Sequence, residues 1–346
     1  MRALTVRPGV AGSGALSELP EPSSDEGSVL VAARVVGVCG TDREILAGEY
    51  GSAPDGDELL VLGHESLGEV LEAPADSGFT PGDLVVGVVR RADPVPCASC
   101  AAGEFDMCRN GGFTEHGIQG RHGFARERWR ADPDQLVPVD PSLDERGVLL
   151  EPTSVVAKAW EHTERIGARG VWQPESVLVT GAGPVGLLAA LLGVQRGLDV
   201  HVLDRVSDGP KPGLVEQLGA TYHCGDVAQL DLATDVVMEC TGAPPVIAGV
   251  IGGTARGGVV CLTGVSSAGG STRLDLGGLN REWVLQNDVV FGSVNANRRH
   301  YALAADALAA ADAAWLDGLI TRRVPVEEHP DALEARDGDV KTVLVF

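Results

Sequence analysis

The chain has 346 residues, more than one average domain, with 44% hydrophobic and 22% charged residues, as in ordinary soluble globular proteins. Its net charge of −22 disfavours nucleic-acid and membrane partners, because such a surface repels phosphate groups and anionic lipid. The apolar runs are shorter than the roughly 20 residues of a membrane span, and the first residues lack a secretory apolar core, so we expect a cytoplasmic protein.

The first 150 residues are predicted to form short strands separated by turns. The runs "SVLVAARVVGV" (28–38) and "PGDLVVGVV" (81–89) are apolar or alternating, and a Pro-Gly-Asp turn opens the second. The C-terminal "DVKTVLVF" (339–346) again has strand character. We therefore expect an antiparallel β domain over 1–154 that is completed by 301–346.

Strands alternate with helices from about residue 155 onward. The helical "VVAKAWEHTERIG" leads into predicted strands at 175–180, 199–204, 235–240, 257–265 and 287–294. Such alternation predicts a doubly wound parallel sheet with both faces covered, over 155–300. One alanine-rich helix is expected over 300–320.

A dinucleotide site is predicted where the first of these strands ends. Gly181, Gly183 and Gly186 have G-x-G-x-x-G spacing, which allows a tight turn, close approach of a pyrophosphate and helix packing. Asp204 ends the next strand, where a carboxylate accepts from the ribose 2′-hydroxyl of NAD; Arg205 would instead favour the 2′-phosphate of NADP. We favour NAD and leave use of both open. The expected cofactor residues here are Gly181, Gly183, Pro184, Val185, Gly186, Asp204 and Arg205.

Candidate metal ligands are spread along the first domain. Cys39 follows an apolar strand, His64 and Glu65 lie between glycines in "LVLGHESLGE", and Glu151 lies among apolar residues. Taken singly, Cys39 is as readily a buried thiol, and the His–Glu pair a polar strand end. A zinc site that does chemistry needs about three such ligands and one open position.

The cysteines indicate a second metal candidate. Their odd count of seven favours metal ligands or buried thiols over disulfides in a cytoplasmic chain. Cys97, Cys100 and Cys108 crowd into twelve residues.

Four motifs together resemble the zinc-dependent medium-chain dehydrogenases. These motifs are "GVCGTD", "LGHESLGEV", "LLEPTSVV" and "VTGAGPVGLL", and within the family the chain is most similar to the archaeal-type glucose dehydrogenase branch. The resemblance covers essentially the whole chain. It implies a GroES-like β-barrel catalytic domain, a Rossmann cofactor domain and a cleft between them.

The resemblance also implies roles for the candidate ligands. Cys39, His64 and Glu151 would hold a catalytic zinc, with Glu65 as an alternating ligand and Thr41 as the proton-relay hydroxyl. The family's structural zinc lobe has four cysteines. Here Cys97, Cys100 and Cys108 take three places and Pro94 the remaining one, so Asp93 could supply the fourth ligand. A degenerate lobe with free thiols is the open alternative.

A sugar substrate follows from further positions of the resemblance. Glu115 matches the family's sugar-binding acid, and Asn295 matches a residue that contacts the sugar and the nicotinamide ribose. His300 and Glu151 match further substrate contacts. His116 departs from the family, which has an arginine at this position. We expect NAD(P)-dependent oxidation of β-D-glucose at C1 to its lactone, by a homodimer or homotetramer. A sorbitol- or threonine-type zinc dehydrogenase is the alternative, and a non-catalytic nicotinamide-binding sensor is a second class.

Overall fold

The computed structural model describes residues 1–266, 270–336 and 338–346. The chain divides into two compact units, Met1–Ser154 with Asn295–Phe346, and Val155–Val294. Residues 295–300, which were expected to belong to the second domain, contact the first unit, because Asn295 and Asn297 hydrogen-bond to residues of that unit. The domain limits otherwise stay a prediction.

The first unit is built on a largely antiparallel sheet whose longest strand is Val29–Val38. This strand pairs with Glu65–Glu72, with Lys341–Val345 and with Arg128–Ala131, so the C-terminal segment is a central strand of the sheet. Alternating apolar residues of these strands fill one core, which includes the fully buried Trp129. The remaining strands of this sheet are Leu84–Gly87, Leu136–Pro138 and Ile320–Pro325.

Two three-stranded sheets and several short helices complete the first unit. One sheet consists of Arg2–Val6, Ala15–Glu18 and Leu60–Val61, and the other of Arg90–Arg91, Thr114–His116 and Gly120–Arg121. Its α-helices are Gly40–Leu46, Ala98–Ala101, Arg298–Ala309, Ala313–Leu319 and His329–Leu333. Its 3₁₀ segments are Ser24–Glu26, Phe105–Met107, Pro133–Gln135, Pro141–Leu149 and Val326–Glu328.

The second unit is a six-stranded parallel sheet. Numbered within the unit, its strands have the order 3-2-1-4-5-6, the order of doubly wound dinucleotide-binding sheets. In chain order they are Ser176–Thr180, Asp199–Asp204, Thr221–Cys224, Thr234–Glu239, Thr254–Leu262 and Val289–Gly292. The helices of this part of the chain are Leu150–Gly167, Pro184–Gln195, Pro210–Gln217, Pro244–Val250 and Leu276–Gln286, with a 3₁₀ turn at Val227–Gln229.

The predicted α/β class, with a β unit and a doubly wound parallel sheet, is confirmed. The single helix expected over 300–320 is wrong, because the helix ends at Ala309 and a second one begins at Ala313. Asp312 separates them: its carboxylate accepts from Trp315 N at 2.9 Å and so caps the second helix. Among the described residues, no helix has the length and apolar character to cross a membrane.

Candidate metal and nucleotide sites

Cys39, His64 and Glu65 converge in the first unit. One ligand atom from each lies within 4.8 Å of the others. Cys39 follows strand Val29–Val38 and His64 precedes strand Glu65–Glu72, and Gly37 is the register partner of Glu65. Because these two strands are antiparallel neighbours, the end of one and the start of the other lie side by side, which unites residues that are distant in sequence.

The donor set fits a zinc ion. It offers one sulfur, one imidazole nitrogen and one carboxylate oxygen, and His64 and Glu65 are buried. His64 Nδ1 lies 3.6 Å from Asp42 Oδ1, which leaves Nε2 as the nitrogen for a metal. Burial lowers the pKa of His64, but Asp42 and Cys39 together outweigh burial and hold that pKa well above its usual value.

Glu65 has a second buried neighbour, Lys341. The Lys341 ammonium pairs with Glu65 Oε2 and donates to Val38 O at 3.2 Å. Burial lowers the pKa of Lys341, but Glu65, Cys39 and Glu151 together raise it by more, so the pKa lies above its ordinary value. A Cβ at Gly37 would approach Glu65 Oε2 to 2.0 Å, so glycine is required opposite this pair. Lys341 is therefore the ion-pair partner of the carboxylate that was expected to alternate with the other ligands.

Glu151 does not complete the tight group, whose members are Cys39, His64 and Glu65. It is buried, and burial raises the pKa of its carboxyl to about 7, with His64 lowering and Glu65 raising it in turn. Its carboxyl therefore lies within electrostatic reach of the group, and its role as a ligand stays a prediction. Thr41, the expected relay residue, is half-buried in the first turn of helix Gly40–Leu46.

Cys97, Cys100 and Cys108 form a second group of thiols within 4.8 Å of one another. Backbone N–H groups, first that of Arg109 and then that of Cys100, lower the pKa of the Cys97 thiol to about 6. Asp93 is not a member of this group. Its Oδ1 instead accepts a hydrogen bond from Val95 N at 2.8 Å. Three thiolates suit zinc, but the described residues show no fourth ligand in place for a closed site.

The glycine loop has the geometry that a dinucleotide requires. Gly181 follows strand Ser176–Thr180 with φ of +89°, and a Cβ at Gly186 would approach Gly181 O to 1.7 Å. A Cβ at Gly183 would meet nothing within 4 Å, so no protein neighbour demands glycine there. That open space, at the N-terminus of helix Pro184–Gln195, fits a pyrophosphate.

Asp204 ends the second strand of the parallel sheet, as expected, and its carboxylate already has protein partners. Oδ2 accepts from Ala182 N at 2.7 Å and from Lys211 Nζ at 3.1 Å, and Oδ1 accepts from Arg205 N at 2.7 Å. Burial raises the pKa of Asp204, but the Ala182 N–H and Lys211 bring it below the usual value. The acid is therefore tied to the glycine loop. The sequence analysis missed Lys211.

Glu115 and Asn295 lie together in the first unit. Asn295 Nδ2 donates to Glu115 Oε1 at 2.7 Å, and Arg90 Nε donates to the same oxygen at 3.0 Å. His116, on the same strand, stacks on Phe124 with ring centroids 4.5 Å apart. Successive strand residues point to opposite faces, so the residue where an arginine was expected is a core residue rather than a neighbour of Glu115.

His300 is fully buried at the start of helix Arg298–Ala309. Its Nδ1 accepts from Asn297 N at 3.1 Å, and the Asn297 side chain accepts from Arg299 N, which together cap the helix. The structure thus gives His300 a capping role and does not bring it to Glu115 and Asn295 in the described contacts. A substrate contact for His300 stays a prediction.

Two families match the chain. Residues 25–141 match the alcohol dehydrogenase GroES-like domain, and residues 144–346 match a family described as glucose dehydrogenase C-terminus. The first match confirms the GroES-like fold expected for the β unit, and both agree with the resemblance stated from the motifs.

Individual relatives are similar over their full length. A glucose 1-dehydrogenase of Thermoproteus tenax is 42% identical over 351 residues, and one of Methanocella arvoryzae is 37% identical over 355 residues, each match covering 99% of both chains. A solved structure of Haloferax mediterranei glucose dehydrogenase, in complex with NADP, Zn and gluconolactone, superimposes with a TM-score of 0.92 at 33% identity. That match covers 100% of this chain and 99% of the Haloferax chain.

Proposed function

Because the chain belongs to the glucose dehydrogenase family of zinc-dependent medium-chain dehydrogenases, we propose that it oxidises β-D-glucose at C1 to the 1,5-lactone and transfers the hydride to NAD(P). The observation that carries this proposal is the convergence of Cys39, His64 and Glu65 in a chain that also has the dinucleotide loop. A protein that only bound nicotinamide would have no need of a buried sulfur–nitrogen–oxygen donor set.

The residues of the catalytic unit have distinct tasks. Cys39, His64 and Glu151 would hold a zinc ion, with Glu65 as the alternating ligand. A zinc ion bound there would supply Lewis-acid stabilisation of an alkoxide on the substrate oxygen. Asp42 orients His64 through Nδ1, and Lys341 fixes Glu65. The Thr41 hydroxyl takes the proton released from the substrate hydroxyl and passes it outward.

The cofactor binds on the parallel sheet. Gly183 and Val185, at the N-terminus of helix Pro184–Gln195, would bind the pyrophosphate. Asp204 favours the free ribose 2′-hydroxyl of NAD, whereas Arg205 and Lys211 beside it can neutralise the 2′-phosphate of NADP. We therefore propose use of both cofactors, with NAD preferred.

The sugar is recognised by Glu115 and Asn295, and we propose Glu151 and His300 as further substrate contacts. Cys97, Cys100 and Cys108 would hold a structural zinc, for which Asp93 could supply the fourth ligand by a small shift of the loop. We propose a cytoplasmic homodimer or homotetramer, in which the edge strand Val289–Gly292 extends the parallel sheet across a subunit contact.

Nicotinamide reduction over a panel of aldoses, polyols and simple alcohols, with NAD and NADP compared, tests the proposed function. We expect glucose to be oxidised by the zinc-loaded protein, with a higher kcat/KM for NAD. Turnover of a linear polyol with glucose, galactose and xylose inert would refute the sugar assignment. A C39S variant is the matched control, because it loses a metal ligand in one unit and keeps the nucleotide loop of the other. It should bind NAD(P) and oxidise nothing.

A further inference from the structure

We propose that Arg90 is a positioning residue for substrate recognition: it fixes Glu115 through one carboxylate oxygen, Oε1, and leaves Oε2 as the acceptor for the sugar hydroxyls. This inference rests on the proposed function, because Glu115 is a substrate residue only if a polyhydroxylated compound binds there. Arg90 itself acts through Glu115 and does not need to touch the sugar.

The fold brings Arg90 and Glu115 directly opposite each other. Strand Arg90–Arg91 pairs antiparallel with Thr114–His116, and Arg90 is the register partner of Glu115. Arg90 Nε and Nη2 lie 3.0 and 2.9 Å from Glu115 Oε1, and both side chains are buried. A buried carboxylate with a guanidinium partner can stay ionised without the full cost of desolvation.

Arg90 is held on its other sides as well. Its Nη1 donates to Asp106 O at 3.0 Å, and its guanidinium carbon lies 3.8 Å from the centroid of the Phe113 ring. A side chain with a carbonyl, an aromatic face and a carboxylate as neighbours has little rotamer freedom left. Arg90 can therefore define the orientation of Glu115 rather than follow it.

The two oxygens of Glu115 have different surroundings. Oε1 accepts from Arg90 and also from Asn295 Nδ2 at 2.7 Å, whereas no described residue donates to Oε2 of this side chain, which is 7% exposed. Asn295 is fixed too, since its φ of +61° is left-handed and its Oδ1 accepts from Ala296 N at 2.7 Å. The lone pairs of Oε2 are thus the ones available to a ligand hydroxyl.

The ligand class follows from this asymmetry. A single charged oxygen with two free lone pairs accepts short, strong hydrogen bonds from one hydroxyl or from two vicinal hydroxyls. A polyol ring offers such donors, whereas a simple alcohol offers only its reacting hydroxyl. Glu115 therefore binds hydroxyls that do not react. Loss of that contact should change KM more than kcat.

A purely structural ion pair is the competing explanation, and the same unit contains a matched example. Arg126 Nη2 lies 2.6 Å from Glu26 Oε2, and the Arg126 side chain is 4% exposed against 7% for Arg90. The R126M and R90M variants therefore remove comparable buried guanidinium groups. Both should lower Tm, and only R90M should change sugar recognition.

The experiment measures kcat, KM for glucose, NAD(P) affinity and Tm for R90M, R90K, E115Q, R90M/E115Q and R126M. We expect R90M to raise KM for glucose by about tenfold or more, with kcat and NAD(P) affinity nearly unchanged and R90K in between. The double variant should have a KM close to that of E115Q alone, because Arg90 acts only through Glu115.

Equal KM effects of R90M and R126M, or additive effects of R90M and E115Q, would overturn the inference. If R90M does not fold, R90K decides, and an unchanged KM in R90K would equally overturn it. Wild-type protein that oxidises no aldose would instead refute the proposed function, so the two failures are distinguishable.

Discussion

Lysine occurs three times in the chain, and two of the three lysines contact carboxylates of the candidate sites. Lys341 pairs with Glu65 beside the metal group, and Lys211 donates to Asp204 beside the glycine loop. Lysine is a compact point charge, whereas arginine presents a planar fork of donors. The candidate sites thus use two compact ammonium groups in a chain whose other positive side chains are arginine, apart from Lys158.

The Cys97 thiol gives a pH-dependent prediction at the scale of one residue. Backbone N–H groups favour its thiolate and lower its pKa to about 6. Only the thiolate is nucleophilic, so in metal-free protein the alkylation of Cys97 by iodoacetamide should accelerate as pH rises and reach half its maximal rate near pH 6. Mass spectrometry of digested protein, sampled over time between about pH 5 and 8, measures this rate.

Two other cysteines serve as internal controls for this titration. Burial raises the pKa of the Cys240 thiol to about 12, and it also raises that of Cys261. Both should stay unmodified over the same pH range. Zinc added before the reagent should protect Cys97 if the three-thiol group binds it. A midpoint for Cys97 above pH 8 would show that the N–H groups do not stabilise the thiolate.

At the scale of the element, two glycines of the dinucleotide loop are needed for different reasons: Gly186 for folding and Gly183 for cofactor binding. Ala at 186 would place Cβ against Gly181 O, so G186A should lose about 1–3 kcal/mol of stability as well as NAD(P) affinity. Ala at 183 would meet no protein atom within 4 Å and would occupy the space proposed for the pyrophosphate. G183A should therefore keep its Tm and bind NAD(P) about tenfold more weakly.

Thermal melts and fluorescence titration with NADH measure both properties on the same samples. Both variants add one methyl group, at positions three residues apart in the same loop, so each is the control of the other. Unchanged NADH affinity in G183A would place the pyrophosphate elsewhere. An unchanged Tm in G186A would mean that the loop relaxes around the added methyl group.

Local patterns in the sequence were sufficient for five of the six strands of the parallel sheet and for the glycine loop, whereas the edge strand Thr221–Cys224 was missed. The strand predicted at 199–204 is Asp199–Asp204 in the structure, because a period of two and a terminal acid are local signals. The break at Asp312 was missed because a single capping residue is a weak sequence signal, whereas the alanines on both sides of it favour a continuous helix. Contacts such as Lys341 with Glu65 join residues far apart in the chain, and no local pattern encodes them.

At the scale of the whole molecule, electrostatics oppose folding. With 49 acidic and 27 basic residues, pairing every basic group still leaves an excess of 22 negative charges at pH 7. Like charges that are brought together by folding repel one another, and the unfolded chain relieves that repulsion. The arginine-rich ion pairs, such as Arg126 with Glu26, offset only part of it.

This excess predicts that salt stabilises the protein. Raising NaCl from about 0.1 to 1 M shortens the screening length from about 10 to 3 Å, which weakens repulsion between surface carboxylates more than the buried ion pairs. We expect Tm at pH 7.5 to rise by about 2–4 °C or more, measured by differential scanning fluorimetry at constant zinc. Near the isoelectric point of about 4.6 the net charge vanishes, so the rise should shrink as pH is lowered toward 5.5. A rise of equal size at both pH values would point to salting-out of apolar surface instead, and a fall in Tm at pH 7.5 would show that ion pairs outweigh the acidic excess.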